Sequence, residues 1–343
     1  MKTLTITRPD DMHLHLRDGA EMQHVLQDSA RRFARAIIMP NLKPPVVTTG
    51  QALAYRDRIL KALPPGSDFQ PLMTLYLTEK TKPAEIKTAR LSGHVYAVKY
   101  YPAGATTHSE SGVIKMENVY PVLEAMEEHD LPLLLHGEVT DPEVDVFDRE
   151  AVFIERILVP VMQRFKKLRI VLEHITTRDA AQFVMNGPEN LAATITPQHL
   201  LLNRNALFAG GLRPHHYCLP ILKAEEHRLA IVAAATSGNP RIFLGTDSAP
   251  HAKHDKESAC GCAGIYSAHN AIELYAEVFE AAGLLENLEA FASANGADFY
   301  GLPLNRDKIT LEKKTWTVPQ ELPFGDKTVV PFRAGEQCRW KLK

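Results

Sequence analysis

The chain has 343 residues, 45% of them apolar and 23% charged, an ordinary globular balance with enough apolar material for a large core. A formal charge of −2 supplies no basic field for a nucleic-acid backbone or an anionic membrane, and no stretch is apolar for long enough to span a bilayer. The first residues alternate polar and apolar and lack the apolar core of a signal peptide. Four cysteines, Cys218, Cys260, Cys262 and Cys338, lack the spacing of a zinc knuckle and read as reduced packing thiols of a cytoplasmic protein. Histidine stands out: there are 15, and many follow apolar runs.

In chain order, a first strand precedes His13, and further apolar, β-rich runs occupy residues 36–39, 72–77 and 95–98. A helix follows over 119–128, then a strand over 131–135. Residues 148–165 carry an apolar stripe of Ile154, Ile157, Leu158, Val161, Met162 and Phe165 at helical spacing. Asp148 is the expected N-cap there, and Pro160 predicts a kink or break. Strands at 170–172 and 191–195, a helix over 220–235, a strand at 242–244 and a helix over 271–282 complete the alternation. Continuous apolar strands separated by helices predict a parallel sheet buried on both faces, either a closed (β/α)8 barrel or a doubly wound sheet. No G-x-G-x-x-G follows the first strand, which removes the usual nucleotide-binding reason for the second. Residues 305–343 read as a short C-terminal extension packed on the barrel, so 1–343 is expected to form a single domain.

The polar residues that end these strands form a series. His13 and His15, two apart in an extended segment, reach the same side. Lys99, His136, His174 and Asp247 close later strands, the middle intervals being 37 and 38 residues, about one βα unit each. In a barrel such strand ends converge at the C-terminal mouth, where active sites are built. Taken singly, each histidine is more often a hydrogen-bonded core or surface residue. Together, four imidazoles and a carboxylate in one register make a donor set for zinc or a similar divalent ion. A buried lysine near cations favours its neutral amine, which can add carbon dioxide and become a two-oxygen carbamate. The plainer alternative is a lysine ion-paired near the mouth. Arg17, two beyond His15, offers a planar fork for a carboxylate, against the alternative of a rim salt bridge with Asp18 or Asp11.

Residues 11–18 (DMHLHLRD), 39–41 (MPN), 99–102 (KYYP), 136–138 (HGE), 173–177 (EHITT), 196–199 (TPQH) and 245–251 (GTDSAPH) closely resemble the dihydroorotases, of the compact bacterial type, in the amidohydrolase superfamily. The resemblance runs from Arg8 to about Trp340 and implies a TIM barrel of the metal-dependent amidohydrolase type. It implies reversible conversion of N-carbamoyl-L-aspartate to L-dihydroorotate in pyrimidine synthesis. Two zinc ions per subunit are implied, one on His13, His15, carboxylated Lys99 (N6-carboxylysine) and Asp247, the other on the same Lys99 with His136 and His174. A metal-bridging hydroxide is the implied nucleophile and Asp247 the general acid/base. Substrate contacts would come from His15, Arg17, Asn41, His136 and His251, with the Leu219 and Ala263 backbones along the ring edge. Thr106 and Thr107, in a stretch of small and hydroxyl residues that composition alone gives as a surface turn, would close over the site. A homodimer is implied as well. A hydantoinase or dihydropyrimidinase shares the metal residues but needs no carboxylate clamp, so Arg17, Asn41 and His251 weigh against it. A metal-free scaffold homologue would have lost ligands, and none is missing here.

Overall fold

The computed structural model describes residues 2–343. A leading strand, β1 (Thr3–Thr7), lies outside the central sheet. The sheet has eight parallel strands in sequence order: β2 (Asp10–Leu14), β3 (Arg35–Ile38), β4 (Gln70–Tyr76), β5 (Val95–Tyr100), β6 (Leu133–His136), β7 (Ile170–Glu173), β8 (Leu191–Ile195) and β9 (Ile242–Leu244). Helices α1 (Gly19–Arg32), α2 (Thr49–Ala62), α3 (Pro83–Leu91) and α4 (Tyr120–Glu128) connect the first four of these strands each to the next. The later connections carry α5 (Arg149–Phe153), α6 (Val159–Arg164), α7 (Arg178–Met185), α8 (Pro197–Leu201) and α9 (Glu225–Thr236). After β9 come α10 (Lys253–Lys256), α11 (Ala271–Ala281) and α12 (Asn295–Tyr300).

The ring closes between β9 and β2. Leu14 bridges Ser248 in parallel, Asp247 N donates to His13 O at 2.9 Å, and His15 N donates to Ser248 O at 3.1 Å. The fold is therefore a (β/α)8 barrel, with His13, His15 and Asp247 meeting at its seam.

Strand alternation sorts the side chains into two cores. Met12, Ile37, Leu72, Ala97, Leu134, Val171, Ala192 and Phe243 fill the barrel interior. Their neighbours, among them Ile38, Leu75, Val98, Leu133, Leu135 and Leu172, pack outward against the helices. Two residues on from the interior layer, the same faces carry Lys99, His136 and Glu173. Strand β2 breaks the rule: Met12 is interior but Leu14 is in the outer core, and its register with β3 shifts between Asp11 and Leu14. A local irregularity of this kind re-aims side chains next to active sites.

Several local expectations are corrected. β6 starts at Leu133 and not at 131, because Pro132 has no N–H for a central ladder. The helix expected over 220–235 begins at Glu225; residues 220–224 are not helical, and the acidic pair Glu225 and Glu226 takes the first turn, where the helix dipole favours it. Asp148 occupies the N-cap position without capping any N–H. Pro160 does not end its helix, which continues to Arg164. The turn before it widens to a π-helix over Ile154–Leu158, and Val159 N bonds Ile154 O, five residues back. That extra residue relieves the crowding a proline imposes on the preceding turn. In the C-terminal stretch, β10 (Lys308–Glu312) pairs antiparallel with β1, and Leu311, Trp340 and Leu342 join the outer core.

Candidate metal centre

His13, His15 and Asp247 present donor atoms within 4.8 Å of one another, as do His13, Glu173 and His174. His13 Nε2 lies 3.2 Å from His15 Nε2 and 3.3 Å from Asp247 Oδ1, and His15 Nε2 lies 3.1 Å from the same oxygen. The His13 ring is 5.0 Å from that of His174, which is 4.9 Å from that of His136. Lys99 is fully buried and abuts the Glu173 carboxylate, whose other oxygen lies 3.0 Å from His13 Nδ1. All six residues expected to hold metal are thus brought to one end of the barrel. Gly245 is required by this closeness: a Cβ there would meet Thr194 at 2.7 Å and His13 at 3.0 Å.

His174 (φ 43°), Asp247 (φ 45°) and Arg17 (φ 60°) all adopt positive φ. For residues other than glycine this conformation is strained and clusters at functional sites. The surrounding hydrogen bonds hold it. The Asp11 carboxylate accepts from Thr246 N at 2.8 Å, Thr246 Oγ1 at 2.6 Å and His13 N at 3.2 Å, tying both sides of the seam. Buried Glu150 accepts from the N–H and hydroxyl groups of Thr176 and Thr177, fixing the turn after His174.

The electrostatics favour a cation. Burial pushes His15 down to about 4 and draws His13 and His174 below the ordinary imidazole value. Burial would raise Asp247, yet His13 and His15 against it, with His174 beyond, hold it well below the usual carboxylate range. Neutral imidazoles and an anionic carboxylate are the protonation states that donate lone pairs to a metal. Burial also drives the Lys99 ammonium well down, with Asp247 opposing. His15 Nδ1 faces Asn41 Oδ1 at 2.8 Å, which places the proton on Nδ1 and leaves Nε2 free to ligate. His136 Nε2 faces Glu138 Oε2 at 2.8 Å, leaving its Nδ1 as the lone pair. His174 Nδ1 is buried without a hydrogen-bond partner. Orphaned ring nitrogens, paired carboxylates and oriented tautomers fit a divalent-metal site.

Beside this cluster Arg17 does not pair with Asp18, which bonds Arg58, or with Asp11. Its Nε donates to Pro250 O at 2.8 Å, and its Nη2 lies 3.0 Å from His251 Nε2. That same nitrogen is 3.1 Å from Ala263 O, so the neutral His251 ring serves one partner or the other according to its tautomer. Thr107 Oγ1 reaches Ala263 O at 3.3 Å, and Asn41 Nδ2 reaches Thr107 O at 3.3 Å. Arg17, Asn41, Thr106, Thr107, Leu219 and Ala263 line one cavity with the histidines and Asp247. Its volume is about 20 Å³, room for roughly one water.

Glu173 and Glu138 were missed as site residues by the sequence analysis. The signal was available for Glu173: Val171 points inward, so a regular β7 turns Glu173 inward and His174 away. His174 reaches the site only through its positive φ. The thiols divide, Cys218 and Cys338 being buried while Cys260 is exposed and lies 3.5 Å from Cys262, so packing accounts for only part of them.

Comparison with known proteins agrees with this geometry. The model of the amidohydrolase family matches residues 6–321. A dihydroorotase of Methylobacillus flagellatus is 67% identical over 341 residues, covering 99% of each chain. Among solved structures, the dihydroorotase of Campylobacter jejuni is 38% identical with a TM-score of 0.91, covering 100% of this chain and 98% of its own. The Saccharomyces cerevisiae dihydroorotase, solved in complex with 5-fluoroorotic acid, is 34% identical with a TM-score of 0.92, covering 100% and 99%.

Proposed function

We infer the working of the site from a firm premise: the chain belongs to the amidohydrolase family, and within it to the dihydroorotases. Its reaction is the reversible, ring-closing conversion of N-carbamoyl-L-aspartate to L-dihydroorotate in pyrimidine synthesis. The metals are two zinc ions per subunit, held as the resemblance implies. His13, His15, Lys99 and Asp247 would hold one, and Lys99, His136 and His174 the other, Lys99 serving in its carboxylated form. Bound there, the ions supply a water acidified to near-neutral pKa and polarisation of the amide carbonyl.

The chain's own groups do the rest. Asp247 takes the proton of the attacking water and delivers it to the leaving ring nitrogen; in synthesis it removes the proton from the carbamoyl nitrogen. Arg17, Asn41 and His251 bind the substrate carboxylate away from the metals, while the Leu219 and Ala263 backbones meet the ring edge. The observation that carries this reading is the Arg17 fork, free of any carboxylate of the protein, beside a histidine–aspartate cluster in one cavity. Two supporting features give the setting. Among the described residues no helix is long and apolar enough to cross a membrane, and all four cysteines are free. A cytoplasmic homodimer of single-domain 1–343 chains completes the reading.

The test compares dihydroorotate with uncharged dihydrouracil and repeats both with Arg17→Met. Removing one member of a buried charge-assisted pair costs several kcal/mol, so kcat/KM for dihydroorotate should fall by about 10² or more. The expected preference of the parent protein is for dihydroorotate, and equal use of the two substrates would refute the clamp.

The cavity is tight for a six-membered ring, and the segment around Thr106 and Thr107, which lines it, is read as the part that moves to admit substrate. Thr106→Ala/Thr107→Ala is expected to lower kcat by roughly tenfold through the lost hydroxyl contacts. Unchanged steady-state kinetics would remove the lid.

A further inference from the structure

Lys256 ends α10 and is only 3% exposed, and what surrounds its ammonium is main chain. Its Nζ donates to Tyr217 O at 2.8 Å, Cys262 O at 2.7 Å and Gly264 O at 2.8 Å. An ammonium carries three N–H groups, and here each has an acceptor. The three carbonyls have a pattern. Cys262 and Gly264 bracket Ala263, and Tyr217 stands two residues before Leu219. These are the two positions whose backbones are read above as meeting the substrate ring.

Other contacts make the two segments one unit. Gly264 N donates to Tyr217 O at 3.0 Å, joining the segments directly. Beyond Leu219, Pro220 O faces His199 Nε2 at 2.9 Å, and the other nitrogen of that buried ring faces Thr196 Oγ1 at 2.8 Å. Cys262 is held at φ 29°, a conformation that persists only where the surroundings over-determine it. Gly264 sits at φ 151°, so close to Ala249 that a Cβ would meet its carbonyl oxygen at 2.7 Å. A long flexible side chain has been spent on fixing backbone at the wall of the cleft.

We propose that Lys256 is a positioning residue for substrate recognition, its ammonium stapling residues 217–219 to 262–264 so that the ring-facing backbone groups of Leu219 and Ala263 stay in fixed register. The proposal rests on the reading that those two backbones contact the ring. Lys256 touches no residue of the metal cluster and does not itself line the cavity; it reaches the lining only through the Gly264 carbonyl. Its loss therefore weakens binding of the ring without removing any group that moves a proton or holds an ion.

The experiment uses the full-length, metal-loaded protein carrying Lys256→Met or Lys256→Gln. Steady-state hydrolysis of dihydroorotate is measured beside hydrogen–deuterium exchange of peptides covering 217–222 and 260–266. The expected result for Lys256→Met is faster exchange in both peptides and a KM raised about tenfold, with kcat within roughly threefold of the parent. Lys256→Gln, which keeps two N–H groups, should fall between, and it serves if the methionine variant does not fold. Unchanged exchange in both peptides overturns the staple itself. Faster exchange with unchanged KM overturns the proposal through its premise, because the loosened backbones would then not be the ones that hold the ring. A fall in kcat and melting temperature with KM unchanged overturns it in favour of a purely structural lysine.

Discussion

Asp247→Asn is expected to lower kcat for dihydroorotate hydrolysis toward the upper end of the ~10²–10⁴ range for loss of general acid–base catalysis. The substitution keeps the side chain's shape and one oxygen where Asp247 Oδ1 now lies, 3.1 Å from His15 Nε2 and 3.3 Å from His13 Nε2. What it removes is the capacity to accept a proton and release it again. In the folded chain the Asp247 carboxyl is held well below the usual range, so its basic form is complete at neutral pH and fails only as pH falls through that depressed value. The parent should therefore have its base available at neutral pH, where the variant should be slow. Metal content must be measured alongside. Retained metal with lost turnover assigns the defect to proton transfer, whereas a rate within tenfold of the parent at equal metal content takes Asp247 out of that role.

The barrel was legible because its strands are continuous apolar runs, which a parallel sheet buried on both faces demands. Residues 95–98, 170–172 and 242–244 carry no other message. Helix limits were less legible where the chain serves two purposes. At 220–224 the apolar spacing suits a helix, but the Pro220 carbonyl is engaged by His199 and the Lys223 carbonyl by Arg204 N, so these acceptors are not available to a helix. Near Pro160 a helical pattern with a proline reads as a break, and a one-residue π insertion that absorbs it leaves no mark in composition.

The site was legible to the extent that its residues end strands in register. Lys99, His136 and His174 could be placed by counting βα units, and His13 and Asp247 by the strands they end. Most of their partners could not, since contacts between separate elements fix them: Asp11 with Thr246 across the seam, and Glu150 of α5 with the turn at Thr176 and Thr177. Strict alternation was informative in one direction and misleading in another. Applied to β7 it selects Glu173 as the inward residue, and it cannot foresee that a positive φ swings His174 back into the mouth. The irregular register of β2 is similar, for there the i, i+2 rule joins His13 and His15 correctly while Met12 and Leu14 part company.

Lys99→Ala is expected to reduce turnover by at least about 10³, with loss of metal, because several kcal/mol of transition-state stabilisation depend on ions held there. Two readings of Lys99 compete on the same geometry. Against the Glu173 carboxylate it is an ammonium in a buried ion pair; as a neutral amine it adds carbon dioxide, forming an N–C bond, releasing one proton and ending as a carbamate anion. Burial favours the second: while Asp247 and the abutting Glu173 carboxylate favour the charged form, burial drives the ammonium well below its ordinary value. Bound cations nearby push further in the same direction. The carbamate supplies two anionic oxygens where a plain lysine supplies none, so short carboxylic acids should enter the space left by Lys99→Ala and restore part of both metal content and rate. Protein loaded with carbon-13 bicarbonate should show a carbamate resonance that is missing from the variant. Arginine, which cannot be carboxylated yet keeps a cation for Glu173, separates the readings: if Lys99→Arg holds two metals and turns over normally, the ion pair is the working state and the carbamate is not.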